Sequence, residues 1–402
     1  MGSKRQSLTL GKLCKVQGFD LVIVRAYASF PSEGGGVDRY ITLHNYAKKN
    51  RIRSLLCVSN YHHNKKSYRD LSDIGTEEVV LINAGEYKSN LSIQRLIYEL
   101  KFAYKSYKVV KKNGAKSVLI GEPLFLGWIF FFWLKCRKGT IIFGDFIDLM
   151  PEAYMIKFRS KLLFWLIFWP FYLSRLVRVK FLYDKVFTVS QSYADLILRA
   201  PKREDSVFYW GVNAVNKSKI FGHIIKVVYA GSLGDGYDIE TLIELGKSRP
   251  DLKVVIAGSG PKSDLCRHAH EQGFITFLGQ IGAIELDNLY QDATYGVLPY
   301  KRNSAVSMPI KFYEYLVHRL IIINSLSMEC SELINRYKLG CNYLPGSVLS
   351  MGDAIDRSSN ICIPEGVVKD LEQKYSVESQ YKSFVSVIGN YIKVRNNHEK
   401  ML

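Results

Sequence analysis

Short apolar runs alternate along the chain with longer segments whose apolar positions recur at helical spacing, and this rhythm predicts parallel sheets covered by helices on both faces. Phe19–Ala26, Arg53–Val58, Glu78–Ile82, Ser117–Ile120, Thr140–Phe143 and Lys185–Ser190 read as strands, with helices over Val37–Lys49 and Ser92–Lys112. After the polar stretch Ala214–Lys219 the pattern restarts. Strands are predicted at Ile225–Gly231, Leu252–Gly258, Ile275–Leu278, Tyr295–Pro299 and Leu320–Asn324, separated by helices at Asp238–Gly246, Ser263–Gln272, Glu285–Gln291 and Ile310–His318, with another at Met328–Tyr337. The restart divides the chain into a domain over 18–215 and a second over 216–374. A final helical segment, 375–402, is expected to pack back on the first domain, and residues 1–17 read as a disordered basic tail.

Two apolar runs stand apart from this rhythm, Pro123–Leu134 and Leu162–Leu173. Both fall short of the roughly 20 residues that cross hydrocarbon, and Pro170 interrupts the second, so neither is expected to span a bilayer. Cations flank the second on both sides (Lys157, Arg159 and Lys161; Arg175, Arg178 and Lys180), which predicts a segment lying in an anionic headgroup layer. The first lacks basic residues on its N-terminal side and reads as a core helix.

The 402 residues, 48% of them apolar, suffice for two domain cores. Lys and Arg number 55 against 37 Asp and Glu, a formal charge of +18 that favours anionic partners. Basic residues interleave with apolar runs and no nucleic-acid-binding motif is present, so nucleic acid is not expected among those partners. Seven scattered cysteines without Cys-x-x-Cys point to a reducing compartment and no structural metal. His62-His63, in a Lys-rich loop, reads as surface.

The chemistry concentrates around Lys311 and Glu314. A buried strand, Tyr295–Pro299, runs through Tyr300 into a loop ending Ser307-Met308-Pro309, and a helix then begins at Ile310 with Lys311 one turn before Glu314. A cation beside a helix N-terminus suits phosphates, and a carboxylate suits a vicinal diol. The inferred ligand is a nucleotide sugar. Gly34, Gly35 and Gly36 after the first strand, Gly231 and Ser232 after the first strand of the second half, and Gly258 and Gly260 after the next are candidates for the anion cradle. Gly258-Ser-Gly260-Pro also fits a tight strand-to-helix turn. Asp145 and Asp148 follow a strand of the first half, where an acceptor hydroxyl could be oriented.

Tyr229-Ala-Gly-Ser-Leu233, Val255-Ile-Ala-Gly-Ser-Gly-Pro261, Phe277-Leu-Gly279, Leu298-Pro-Tyr300 and Pro309-Ile-Lys-Phe-Tyr-Glu-Tyr-Leu316 occur in the order and spacing of the retaining nucleotide-sugar glycosyltransferases of family 4, which the second half resembles over 225 to about 340. In the first half Gly34–Gly36, Thr188-Val-Ser190 and Gly211-Val-Asn213 are collinear with that family, and Asp148-Leu-Met-Pro-Glu152 resembles the Asp-Leu-Trp-Pro-Glu signature of its bacterial surface-polysaccharide members. The resemblance implies the GT-B fold, two Rossmann-like doubly wound domains facing a cleft, with the acceptor on the first and a UDP- or GDP-sugar on the second. It implies Glu314 as the acid that holds the ribose hydroxyls, Lys311 as the cation facing the leaving diphosphate, and Asp148 toward the acceptor. Val306 stands where the family has the first Glu of its E-x7-E motif, as in related bacterial members with a Pro-x-Lys-x-x-Glu-Tyr string. Ser232 replaces an Arg common in the family, and Asp235-Gly-Tyr-Asp238 offers no Lys, so Lys311 carries more of the phosphate charge.

The expected function is therefore transfer of a sugar, with retention, from a nucleotide diphosphate to a saccharide or lipid-linked saccharide in O-antigen or capsule-type synthesis. The enzyme would lie on the cytoplasmic face of the membrane and need neither cofactor nor metal, because no Asp-x-Asp dyad follows a strand. The alternative is a non-catalytic GT-B scaffold or regulatory subunit, for which Val306 is the motive.

Overall fold

A computed structural model describes residues 18–30, 38–63, 65–69, 78–158, 160–198, 206–214 and 225–401, with side chains described as far as residue 395. The tail 1–17 lies outside the described residues. By internal contact the chain forms two compact units, one of Met1–Asp145, Lys180–Lys185 and Val387–Leu402, the other of Phe146–Val179 and Val186–Ser386. This grouping follows packing, whereas the boundary read from sequence follows chain order.

The first sheet runs β1 (Leu21–Val24), β2 (Ser54–Ser59), β5 (Val79–Ile82), β6 (Ser117–Gly121), β7 (Ile141–Phe146) and β8 (Lys185–Thr188), in the order β5-β2-β1-β6-β7-β8. Between β2 and β5 lies a small antiparallel pair, β3 (Tyr61–His62) and β4 (Ser67–Tyr68). Strands β1, β2, β6 and β7 are buried throughout, as expected of parallel strands covered on both faces. The helices are α1 (Arg39–Lys49), α2 (Ile93–Asn113) and α3 (Trp128–Lys138). Asp38 starts α1 by accepting from the Tyr40 and Ile41 amides, and Ser92 starts α2 by accepting from the Arg95 amide. Gly114 and Gly139 end α2 and α3 in the left-handed conformation.

The second sheet repeats the same order, β11-β10-β9-β12-β13-β14. Its strands are β9 (Ile225–Ser232), β10 (Leu252–Ser259), β11 (Thr276–Gly279), β12 (Tyr295–Leu298), β13 (Ile321–Asn324) and β14 (Gly340–Asn342), all joined by parallel pairings. Around it lie α6 (Ile239–Ser248), α7 (Ser263–Glu271), α8 (Ala283–Gln291), α9 (Ile310–Val317), α10 (Met328–Tyr337), α11 (Val348–Ser358) and α12 (Glu365–Lys374). Helices α4 (Lys161–Val177) and α5 (Gln191–Leu198) precede it, and α13 (Val377–Met401) closes the chain. Each sheet is the doubly wound arrangement that the alternating pattern predicts, and each reverses strand order beside its first strand.

Two readings of the sequence are corrected, and the extent of a third element differs from its apolar run. The run at 123–134 is not a core helix: α3 buries Phe131 and Leu134 but exposes Ile129, Phe132 and Trp133. Every position in that run is apolar, so periodicity could not separate its faces. The second run is longer than its apolar residues suggest, because α4 continues through a π-helical turn, Arg178–Leu182, into 22 helical residues that by length and composition could cross a membrane. Its inner face is nonetheless committed to protein, with Phe164 and Phe168 packed on Tyr154 and Arg175 forked onto Glu152 at 2.6–2.7 Å. The histidine pair is not surface: His62 is buried, and the His63 ring lies 4.7 Å from Tyr27 and hydrogen-bonds the Tyr87 hydroxyl. Burial first, then Lys66 and Arg95, hold His63 far below the usual range, at about 3.

Candidate functional site

In an open doubly wound sheet, ligands gather at the carboxyl ends of the strands where the order reverses, which in the second sheet is between β9 and β12. The loop leaving β12 leads into α9. Phe312, Tyr313, Tyr315 and Leu316 on that helix are buried at 0–1% exposure. Burial of such side chains stabilises by about 1.5–3 kcal/mol each, so the apolar face fixes how α9 sits and leaves Lys311 and Glu314 on the other side.

Lys311 Nζ lies 2.7 Å from Glu314 Oε2 and donates to the Tyr290 hydroxyl at 3.3 Å, while that hydroxyl donates to the same carboxylate oxygen at 3.1 Å. Both charged side chains are about a quarter exposed. An ion pair one helical turn apart contributes only about 0.2–0.5 kcal/mol, too little to be the reason α9 folds. Both contacts fall on Oε2, and no hydrogen bond to Oε1 is found among the described residues. Tyr290 is pushed well above its ordinary pKa by burial first, then by Tyr315 and Glu314, so it stays a neutral donor. Glu314 stands in the second turn of α9, the first turn holding no acid.

Pro309 caps α9 without a side-chain hydrogen bond, which leaves the positive end of the helix open. Just before it, Ser307 is fully buried with an unpartnered Oγ, and Met308 is buried beside it. Ile310 is exposed and opens the helix. Tyr300 is buried, its amide donating to Ser325 Oγ at 2.7 Å and its ring 4.9 Å from Tyr237.

Gly231 and Gly258 are paired across β9 and β10. A Cβ on Gly258 would lie 1.8 Å from the Gly231 carbonyl oxygen, so this glycine is there for strand packing. The Gly260 amide donates to Ser263 Oγ at 3.0 Å, which makes the Gly-Ser-Gly-Pro string a tight entry to α7. Ser232 is exposed at the end of β9, its carbonyl accepting from the Tyr229 hydroxyl at 2.7 Å. Gly34, Gly35 and Gly36 lie outside the described residues.

Asp148 is exposed in the loop after β7. Burial first and then the charge of Asp148 raise the Tyr193 phenol, and Tyr237 is raised by burial, against its hydrogen bond with Tyr300, with a smaller contribution from Asp148. The Tyr193 hydroxyl donates to the Ala305 carbonyl at 2.7 Å, which ties α5 to the loop that precedes α9. Asp145 is different. It forms a fully buried, two-point ion pair with Arg39 at 2.8 and 3.0 Å and is committed to holding α1 on β7.

Two polar side chains here escaped the sequence reading. Tyr290 acts on partners 21 and 24 residues away, a separation no local pattern encodes. Lys262 reaches the Tyr237 carbonyl and Glu240, each at 2.6 Å, beside the glycine turns. A lysine directly after a glycine-rich turn at a helix start was its available signal. Among the described residues no cluster of three or more His, Cys, Asp or Glu could hold a metal ion.

Residues 226–359 match the family described as glycosyl transferases group 1. No curated protein matches by sequence. Among solved structures, sucrose-phosphate synthase from Thermosynechococcus elongatus aligns over 96% of this chain and 100% of its own, with TM-score 0.66 and 14% identity. Anabaena HepE in complex with UDP aligns over 96% and 100%, with TM-score 0.56 and 13% identity. WaaG, a glycosyltransferase involved in lipopolysaccharide biosynthesis, aligns over 93% and 98%, with TM-score 0.57 and 11% identity. At these identities the likeness is one of fold. The chain has the GT-B fold, and its segment 226–359 matches the glycosyl transferases group 1 family.

Proposed function

We propose that this protein transfers a sugar from a nucleotide diphosphate donor to a saccharide or lipid-linked saccharide, as a retaining, metal-independent family 4 glycosyltransferase of bacterial surface-polysaccharide synthesis. The observation that carries the reading is the Tyr290–Lys311–Glu314 cluster beside the uncapped start of α9, inside the segment that matches glycosyl transferases group 1. Glu314 Oε1 accepts a ribose hydroxyl while Oε2 stays with Tyr290. Lys311 exchanges part of its contact with Glu314 for the donor diphosphate and stabilises the negative charge that grows on it as the glycosidic bond breaks. The α9 amides add to that stabilisation. A UDP- or GDP-sugar fits this chemistry, and UDP is the ligand of the HepE structure. Asp148, near Tyr193 and Tyr237, orients the acceptor hydroxyl.

The exposed apolar side of α4, with Leu162 at 73% and Leu166 at 70% exposure, supports peripheral attachment to an anionic membrane surface on the cytoplasmic side. Lys161 and Lys180 at its ends suit the headgroups.

Glu314→Ala is expected to lower transfer by at least a hundredfold with a melting temperature within about one degree of wild type, because the ion pair it removes is weak. Assay with a cell-envelope acceptor extract and a mixture of UDP- and GDP-sugars reads the first, and calorimetry the second. Nucleotide binding by wild type without transfer to any acceptor would instead favour a scaffold that kept the site, the reading Val306 motivates.

A further inference from the structure

At the amino edge of the first unit's sheet, the ends of α2 and α3 and the late turns of α13 line an open cavity of about 210 Å³ where the chain enters β6 and β7. Its walls are apolar at Val110, Leu134 and Ile392, its charged lining is Lys116, Lys138 and Arg395, and no Asp or Glu lines it. The three cations come from separate elements: the approach to β6, the last residue of α3, and α13. The guanidinium is seated by an absence. Gly139 has φ 59°, and a Cβ there would lie 2.3 Å from Arg395 Nη2.

Cations near helix C-termini often do no more than offset the helix dipole. That explains Lys138 at the end of α3 and extends to Lys116, two residues past the Gly114 that ends α2, but it does not account for the cavity between them or for Arg395 reaching it from a third element. Lys116 also pairs with Asp20 at 3.1 Å, and with 44% of its side chain exposed that pair is a weak surface one, for which a bound anion would compete.

We propose that this cavity binds a phosphate monoester carried on a small, partly apolar body. A monoester bears about −1.5 to −2 charges and three acceptor oxygens at neutral pH, enough to answer donors from three elements at once, whereas a carboxylate offers one charge and two oxygens. Size sets the other limit. At about 210 Å³ the cavity exceeds the roughly 150 Å³ that accommodates a benzene ring, which leaves room for a phosphate and a six-membered ring, and it falls below the roughly 300–1,000 Å³ of sites for larger ligands. The site also lies at the edge opposite the carboxyl ends where doubly wound sheets take substrates, so its ligand regulates or anchors the first unit and is not the donor.

The phosphate could belong to a soluble ester or to a lipid headgroup, and the test separates them. Titration calorimetry of the full chain with phenyl phosphate and with phenyl sulfate, its monoanionic analogue, should show at least tenfold tighter binding of the phosphate. Lys138→Glu with Arg395→Glu should weaken that binding at least tenfold. Lys138→Ala alone, at an exposed helix end, should weaken it about threefold and guards against misfolding of the double variant. Flotation with vesicles of phosphatidic acid or phosphatidylglycerol at matched charge reads the lipid source. A preference for phosphatidic acid that the double variant loses assigns a headgroup, and a phenyl phosphate site without that preference assigns a soluble ester. Equal binding of phenyl sulfate, binding unchanged in the variants, or binding of neither phenyl phosphate nor phosphatidic acid vesicles would overturn the proposal.

Discussion

Glu99 shows how much a single buried group can weigh. Its Oε1 accepts from the Tyr27 hydroxyl at 2.7 Å and from Arg95 Nε at 3.0 Å, while its buried Oε2 has no partner. Burial is the larger influence, and despite the neighbouring Arg95 it pushes the carboxyl up from 4.5 to about 6. A carboxyl whose folded pKa is raised holds its proton longer in the folded state than in the unfolded chain. Its contribution to stability is therefore complete below about pH 4.5 and is lost as pH rises through about 6, a change of about 2 kcal/mol at 1.36 kcal/mol per unit. Glu99→Gln, which cannot titrate, is expected to remove that loss. Urea unfolding at pH 4.5 and pH 7 should show wild type losing about 2 kcal/mol more than the variant across the interval. A difference below about 0.5 kcal/mol would mean that Glu99 is solvated. His63 titrates with the opposite sign, its stabilisation present above pH 6.5 and lost on acidification, but it is common to both proteins and drops out of the comparison. None of this cluster was legible in the sequence, because Tyr27, His63, Tyr87 and Glu99 meet only after three strand ends come together. Lys311 and Glu314 could be found because one helical turn places them side by side.

At the scale of elements, what was legible followed from periodicity. Buried parallel strands announce themselves as short β-branched and aliphatic runs, and the observed β9, β10 and β12 begin at the residues where those runs begin. Other elements were missed, although α11 buries Met351, Ala354, Ile355 and Ser358 at helical spacing, because its periodic positions include small and polar residues that do not stand out as an apolar stripe. Helices α11 and α12 carry small and charged residues, and β14 is three residues long. The apolar helices were the hardest, since α3 and α4 are hydrophobic on every side and only the fold decides which side is covered. For α4 that decision leaves Leu162, Leu166 and Trp169 exposed at 50–73% while Phe164 and Phe168 are buried. A soluble surface gains nothing from three such neighbours on one helix, and a bilayer interface would gain about 1.5–3 kcal/mol for each that is buried. Leu166→Glu with Trp169→Glu is therefore expected to cut partition onto vesicles containing anionic lipid by at least a hundredfold, read by flotation. Transfer to a water-soluble acceptor should stay within about twofold of wild type. Undiminished vesicle binding by this variant would remove α4 from the membrane surface.

Across the whole molecule, the 55 basic against 37 acidic residues bear on how the proposed transfer would be powered. A departing nucleotide diphosphate gains negative charge as the sugar leaves, and an enzyme must meet that charge with a divalent ion or with its own cations and dipoles. Among the described residues the chain offers the second means at Lys311 beside the uncapped amides of α9. Elsewhere its polar contacts hold Lys262 to Glu240 and Arg39 to Asp145. A single ammonium and a helix terminus acting in a partly exposed site are screened by salt far more than a coordinated metal would be, since the Debye length falls from about 10 Å at 0.1 M to about 3 Å at 1 M. Two outcomes are expected together. Transfer assayed with a chelating agent should keep at least half its rate, and kcat/KM for the donor should fall at least fivefold when sodium chloride is raised from 0.05 to 0.5 M, with kcat for bound donor changing less. Lys311→Met should abolish most of that salt sensitivity along with most of the activity. Should the chelator silence the enzyme and manganese restore it, the charge on the leaving group is met by a metal and Lys311 has a lesser role.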